Sequence, residues 1–200
     1  MSDYFENFKD ALPDIKKVKQ LKKQLEKKGV KYIYSNWIDF LGSPKTKPMP
    51  ISDFEDLCMG KGPQFAVHSV SFVPELTPAD NDQIPLPDLD SLVICPWDKT
   101  CAWIFADLYW NDKPYDVCPR MTLKRQIKKC AKSDLKFFVG IEPEFFLMKW
   151  DGDKPVKAID RDPIPLRRQA FGYDSEYSID GMNFLKEIID ILNNDLKWDL

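Results

Sequence analysis

The stretch Gly140-Ile141-Glu142-Pro143-Glu144-Phe145-Phe146-Leu147-Met148 sets two carboxylates two positions apart inside an apolar, aromatic run. In a strand, side chains two apart share a face, so Glu142 and Glu144 would point the same way, with stems roughly 7 Å apart at about 3.3 Å per residue. Burying two bare carboxylates beside Phe145, Phe146 and Leu147 is costly without a counter-charge. Hard, oxygen-ligated divalent ions, Mg2+ or Mn2+, are the natural one, and the separation suits two neighbouring cations better than one chelated ion. The spacing is also met by a strand end whose glutamates simply face water.

Working outward, the pattern predicts an α+β chain. Ile15, Val18, Leu21 and Leu25 recur at helical intervals between Pro13-Asp14 and Gly29, giving an amphipathic helix over 14–28. Val30 to Phe40 alternates as a strand, turns at Leu41-Gly42-Ser43-Pro44 and returns over Lys45 to Met49 as a hairpin. A short helix over Ile51 to Met59 takes Ser52 as its cap. Phe72 to Pro87, with four prolines, reads as a long loop before Leu92-Val93-Ile94 resumes a strand. Cys101 to Leu108 is a further strand, with Tyr109 to Tyr115 turning around Asn111-Asp112. Met121 to Ser133 is a basic helix, Phe137 to Met148 the strand carrying the glutamates, Gly152 to Tyr173 a loop and Asp180 to Asn194 a helix.

Further motifs surround the glutamate pair. Asp80-Asn81-Asp82-Gln83-Ile84-Pro85-Leu86-Pro87-Asp88 precedes Cys95-Pro96-Trp97, then Asp107-Leu108-Tyr109, then Tyr115-Asp116-Val117-Cys118-Pro119-Arg120. With the run at 140–148, this series resembles the glutamine synthetase family over about residues 30 to 200, in order and in approximate spacing. The wording Cys95-Pro96-Trp97-Asp98-Lys99-Thr100-Cys101-Ala102-Trp103 is most like the branch that includes γ-glutamylmethylamide synthetases. The resemblance implies an amino-terminal extension over 1–29, a β-grasp domain over 30–115 and, over 116–200, the start of a catalytic α/β domain. It implies ATP as cosubstrate, glutamate as the carboxylate substrate, and ammonia or a primary amine as the acceptor. Glu142 would serve the metal near the nucleotide phosphates and Glu144 the metal near the substrate carboxylate. It also implies a homo-oligomer with active sites between subunits. Family members carry Phe-Asp-Gly-Ser-Ser where this chain has Phe65-Ala66-Val67-His68-Ser69, so Ala66 stands where an aspartate of the ammonium site is expected. A second aspartate of that amine site falls on Asp80 or Asp82. The family's remaining metal, nucleotide and glutamate ligands would lie downstream, and no catalytic residue is assigned within the chain. An alternative from another class is a catalytically incomplete subunit that packs against a full-length family member.

Composition narrows the other classes. With 44% hydrophobic and 30% charged residues, the 200-residue chain is an ordinary globular sequence. A net charge of -3 argues for neither a nucleic-acid nor a membrane partner, and the clustered lysines at 16–28 read as a solvated helix face. No apolar run approaches the ~20 residues of a membrane span, and Met1-Ser2-Asp3-Tyr4 lacks a signal-peptide pattern, so cytoplasm is the default compartment. Five cysteines without a CxxC pair indicate neither a disulfide framework nor a zinc site, and the one histidine, His68, excludes a multi-histidine centre. Neither G-x-x-x-x-G-K-[ST] nor G-x-G-x-x-G occurs.

Overall fold

The computed structural model describes residues 3–68, 76–158, 175 and 181–197, and the chain divides into two compact units, 1–137 and 138–200. It is a mixed α and β fold. In the first unit a short helix α1 (Phe8–Ala11) precedes α2 (Ile15–Lys27). Asp14 caps α2 by accepting the Lys16 amide at 2.8 Å, and Gly29, at φ +88°, supplies the left-handed residue that ends it. Strands β1 (Tyr32–Ile38) and β2 (Pro44–Pro50) form the expected antiparallel hairpin.

The segment expected as one capped helix is two pieces, a 3-10 turn (Ile51–Asp53) followed by α3 (Phe54–Cys58). Ser52 is not its cap, because its hydroxyl donates to Asp53 Oδ1 at 2.7 Å rather than accepting a helix amide. Next come β3 (Phe65–Ala66), β4 (Asp82–Pro87), β5 (Val93–Ile94), β6 (Cys101–Trp110) and β7 (Lys113–Pro114). The sheet runs β2-β1-β6-β4-β3, with β5 and β7 also on β6. Among the described residues, only β1 and β6 are parallel.

The expectation of a loop through Pro87 fails at β4. Pro85 and Pro87 are tolerated because β3 pairs only with Asp82 and Gln83, so that among the described residues the far edge of residues 84–87 has no partner strand that would need their amides. Residues 69–75 of that expected loop lie outside the described residues. The β6–β7 turn is carried by Asn111 (φ 51°) and Asp112 (φ 62°), the left-handed pair a two-residue hairpin requires. Helix α4 (Pro119–Ala131) starts with proline in its first turn, where the missing amide costs nothing.

Two core patches lie against this sheet. Val18 and Leu25 of α2 and Phe54 and Leu57 of α3 pack with Ile33, Ala102 and Ile104. Trp37, Phe65, Leu86, Leu108 and Tyr109 pack with Tyr115, Cys118 and Met121, which brings α4 onto the sheet.

In the second unit the expected strand over 137–148 does not form. The stretch up to Leu147 carries no strand pairing, and only β8 (Met148–Asp151) joins a sheet, paired with β9 (Lys154–Lys157) across a turn containing Gly152 at φ +58°. Alternation and aromatic content make a chain extended, but a strand needs a neighbour for its amides and carbonyls; Leu147 still gives its carbonyl to the Ala158 amide at 3.0 Å, and among the described residues no strand lies beside 137–146. The hairpin at 148–157 also replaces the start of the loop expected over 152–173, whose remainder from 159 lies outside the described residues. Helix α5 (Met182–Asp190) continues into a wider π-helical turn, Ile191–Asp195, which runs one residue past the expected end at Asn194.

Candidate functional site

Strand β3 is only two residues long, and its placement depends on stacking. The Phe65 ring lies flat on Trp37, centroids 4.3 Å apart and planes 7° apart, while Phe65 and Ala66 pair with Gln83 and Asp82. Ala66 and Asp82 are therefore direct cross-strand partners, whose β-carbons stand about 5 Å apart in such a pair. Both line a cleft of about 550 Å³ that is also bounded by Trp37, Lys45, Lys47 and Gln64. The lysines at its rim are engaged: Lys47 donates to the Gln64 carbonyl and Lys45 pairs with Asp39 at 3.4 Å. Gln83 is fully buried and, among the described residues, neither polar atom of its amide has a hydrogen-bond partner, nor does the indole nitrogen of buried Trp37.

Asp80 is occupied differently. Its Oδ2 accepts the Thr77 amide at 2.7 Å and the Thr77 hydroxyl at 3.1 Å, which makes it the closing residue of a local turn. The structure thus brings Ala66 and Asp82 together and gives Asp80 a turn-forming role.

Glu142 and Glu144 lie in the second unit, both exposed, on the unpaired extended stretch. As two hard-oxygen donors they suit Mg2+ or Mn2+ in chemistry. They form an incomplete donor set: among the described residues no group of three His, Cys, Asp or Glu side chains could hold a metal ion.

One cluster escaped the sequence reading. Arg120 donates through Nη2 to Asp88 Oδ2 at 2.6 Å and through Nε to Asp107 Oδ1 at 3.2 Å. Lys124, one turn further along α4, donates to Asp88 Oδ2 at 3.1 Å and also to Asp107 Oδ2. Asp88 at the end of β4, Asp107 in β6 and Lys124 are buried, so two acids and two bases neutralise one another where the helix meets the sheet. Asp88, Asp107 and Arg120 all belong to the motif series read in the sequence; that acids and a base recur there was visible, but that they face each other needed the fold. Burial also pushes the Cys58 thiol up to about 12, and desolvation together with Asp107 pushes the Tyr109 hydroxyl up.

Residues 116–196 match the family model described as glutamine synthetase, catalytic domain. Over 165 residues the chain is 33% identical to the glutamine synthetase of Rhizobium meliloti (strain 1021), covering 82% of this chain and 36% of that protein. This chain is a relative of the glutamine synthetases. It is also 32% identical over 127 residues to the glutamate--methylamine ligase of Methyloversatilis universalis, covering 62% of this chain and 28% of that one. A solved GmaS/ADP complex superposes with a TM-score of 0.53 at 28% identity, over 57% of this chain and 26% of that chain. An apo GmaS structure shares the fold with a TM-score of 0.68 at 22% identity, over 89% of this chain and 40% of that chain. The chain spans about a third of the length of the curated glutamine synthetase relatives it matches. Among the described residues, no helix is long and apolar enough to cross a membrane.

Proposed function

We propose that the protein, at its natural length, is an ATP-dependent ligase that joins the side-chain carboxylate of glutamate to a small primary amine or to ammonia. The observation that carries the reading is the joint occurrence of the catalytic-domain match over 116–196 and the two-carboxylate run Glu142-Pro143-Glu144 inside it. In this reading the first unit's sheet is a β-grasp domain over 30–115, and 116–200 begins the catalytic domain. Subunits assemble as homo-oligomers with active sites at their interfaces, in the cytoplasm.

Glu142 and Glu144 would be two of the carboxylates that hold Mg2+ or Mn2+, and the ions, when bound, neutralise charge on the transferring phosphoryl group. The chain's own contribution at the acceptor side is the cleft at Ala66. Asp82 offers a carboxylate that can attract an ammonium-type group and accept its hydrogen bonds, and the Ala66 methyl opposite leaves an apolar wall where an aspartate would bring a second charge. An alkyl substituent on the amine gains from that wall, whereas ammonium loses an acceptor.

The test is mutational. In the natural-length protein Glu142→Ala and Glu144→Ala should each abolish glutamate- and amine-dependent release of ADP while leaving the circular dichroism spectrum unchanged. Wild-type turnover with ordinary metal dependence in either variant would remove these glutamates from the site.

A further inference from the structure

Cys95 and Cys101 stand opposite each other where β5 runs out and β6 begins. The register Val93 with Trp103 and Ile94 with Ala102 continues one step, and the Cys95 amide donates to the Cys101 carbonyl at 3.0 Å. The Cys101 amide itself turns to the Asp98 carbonyl at 3.0 Å, so the pair shares one bond; antiparallel cross-strand partners hold their Cα atoms about 4.5 to 5.5 Å apart, inside the range a disulfide spans, and send both side chains to the same face. Cross-strand β-carbons at about 5 Å must close by roughly 1 Å to bond. Only the end of a two-residue strand and the connecting loop have to give.

We propose that Cys95 and Cys101 are an oxidisable dithiol that closes to an intramolecular disulfide by exchange with a small disulfide of the glutathione class, stapling the loop that carries Trp97. The surroundings assign the order of events. Cys101 is the more accessible of the two thiols, 7% exposed against 1% for Cys95, so the small disulfide reaches it first. The Cys95 thiol is pushed up to about 11, by burial first and by its neighbours Cys101 and Asp98 after that, which keeps little of it as thiolate at neutral pH.

Cys101 therefore loses its proton and attacks one sulfur of the small disulfide. That S–S bond breaks, and the departing thiolate takes up a proton. Cys95 then loses its proton and attacks the Cys101 sulfur of the mixed disulfide, expelling the second small thiol. Two protein thiols are oxidised by two electrons and one small disulfide is reduced to two thiols, so the exchange balances. The staple fixes an exposed element: Trp97 leaves the loop to sit edge-on against Trp103, centroids 5.1 Å apart at 73°. The remaining cysteines are placed elsewhere: Cys58 and Cys118 belong to the two core patches, and Cys130 lies on α4.

The test is thiol mapping on the whole folded chain. The protein is equilibrated with oxidised glutathione, acid-quenched, unfolded, alkylated with iodoacetamide and digested with trypsin. Lys99 lies between the two cysteines, so trypsin separates them and only a disulfide keeps their peptides together. The expected result is a Cys95–Cys101 linked peptide pair, two fewer alkylated thiols than in the reduced control, and loss of the link on adding dithiothreitol. In Cys95→Ser the reaction should stop with glutathione attached to Cys101. Recovery of both residues as alkylated thiols, a wild-type chain that stops at a mixed disulfide, or a link to any other cysteine overturns the proposal.

Discussion

Lys124 is the residue whose environment most constrains what can replace it. Its ammonium is buried among Asp88 and Asp107, and Arg120 alone cannot satisfy both acids once it is gone. Removing one partner of a buried ion cluster leaves charge uncompensated, a loss of about 3 kcal/mol or more. Lys124→Ala should therefore lower the unfolding free energy by that amount, seen as a lower urea midpoint at an unchanged m-value, and a loss under about 1 kcal/mol would show that water reaches the site. A second residue-scale prediction concerns alkali. Burial raises the Cys58 thiol from 9.0 to about 12, so as pH rises the unfolded chain gives up this proton first. The stabilisation is complete below about pH 9 and is lost between there and about pH 12, at up to roughly 1.4 kcal/mol per pH unit. Unfolding measured from pH 8 to 10.5 should show a shallower decline in Cys58→Ala than in the parent chain. Parallel curves would mean the thiol ionises as easily in the fold as out of it.

At the scale of elements, local signals were legible wherever the chemistry is local. Asp14 and Gly29 bound α2 as their types require, and Asn111-Asp112 turned as a hairpin pair. The misses involve partners far away in sequence. Pro85 and Pro87 argue for a loop until it is known that, among the described residues, the far edge of β4 is unpaired, and the aromatic run at 137–146 argues for a strand that has no strand neighbour among the described residues. In the candidate site, the sequence left Asp80 and Asp82 undecided, because only the β3–β4 register sets Asp82 across from Ala66. Gly60 shows the same dependence on a distant contact: it adopts φ +68°, and a Cβ there would overlap the ring of Phe8 from the amino-terminal segment. Phe8 in turn packs edge-on against Tyr109, centroids 5.6 Å apart. Gly60→Ala should cost about 1 kcal/mol or more from backbone strain alone, and should release the segment so that limited trypsin digestion cuts at Lys9 sooner than in the parent chain. Equal cutting rates would mean Phe8 finds another seat.

For the whole molecule, exposed apolar surface is concentrated in one region. Phe138, Ile141, Phe146 and Trp150 are each three-quarters or more exposed, and exposed apolar side chains gathered in one stretch favour association. Size-exclusion chromatography of the 200-residue chain should show an apparent mass that rises with loading concentration, and a concentration-independent monomer would contradict this. The central claim concerns the protein at its natural length, because the chain spans about a third of the glutamine synthetase relatives it matches. Its most direct test is steady-state ADP release with glutamate, comparing methylamine and ammonium as acceptors in the parent protein and in Ala66→Asp. A methyl-sized apolar contact discriminates by about 1 to 3 kcal/mol, roughly 10- to 200-fold. The account predicts a kcat/KM for methylamine above that for ammonium by a factor in that range, with the ratio moving toward ammonium in the variant. No ATP- and glutamate-dependent turnover with either amine, or the same ratio in both proteins, would contradict it.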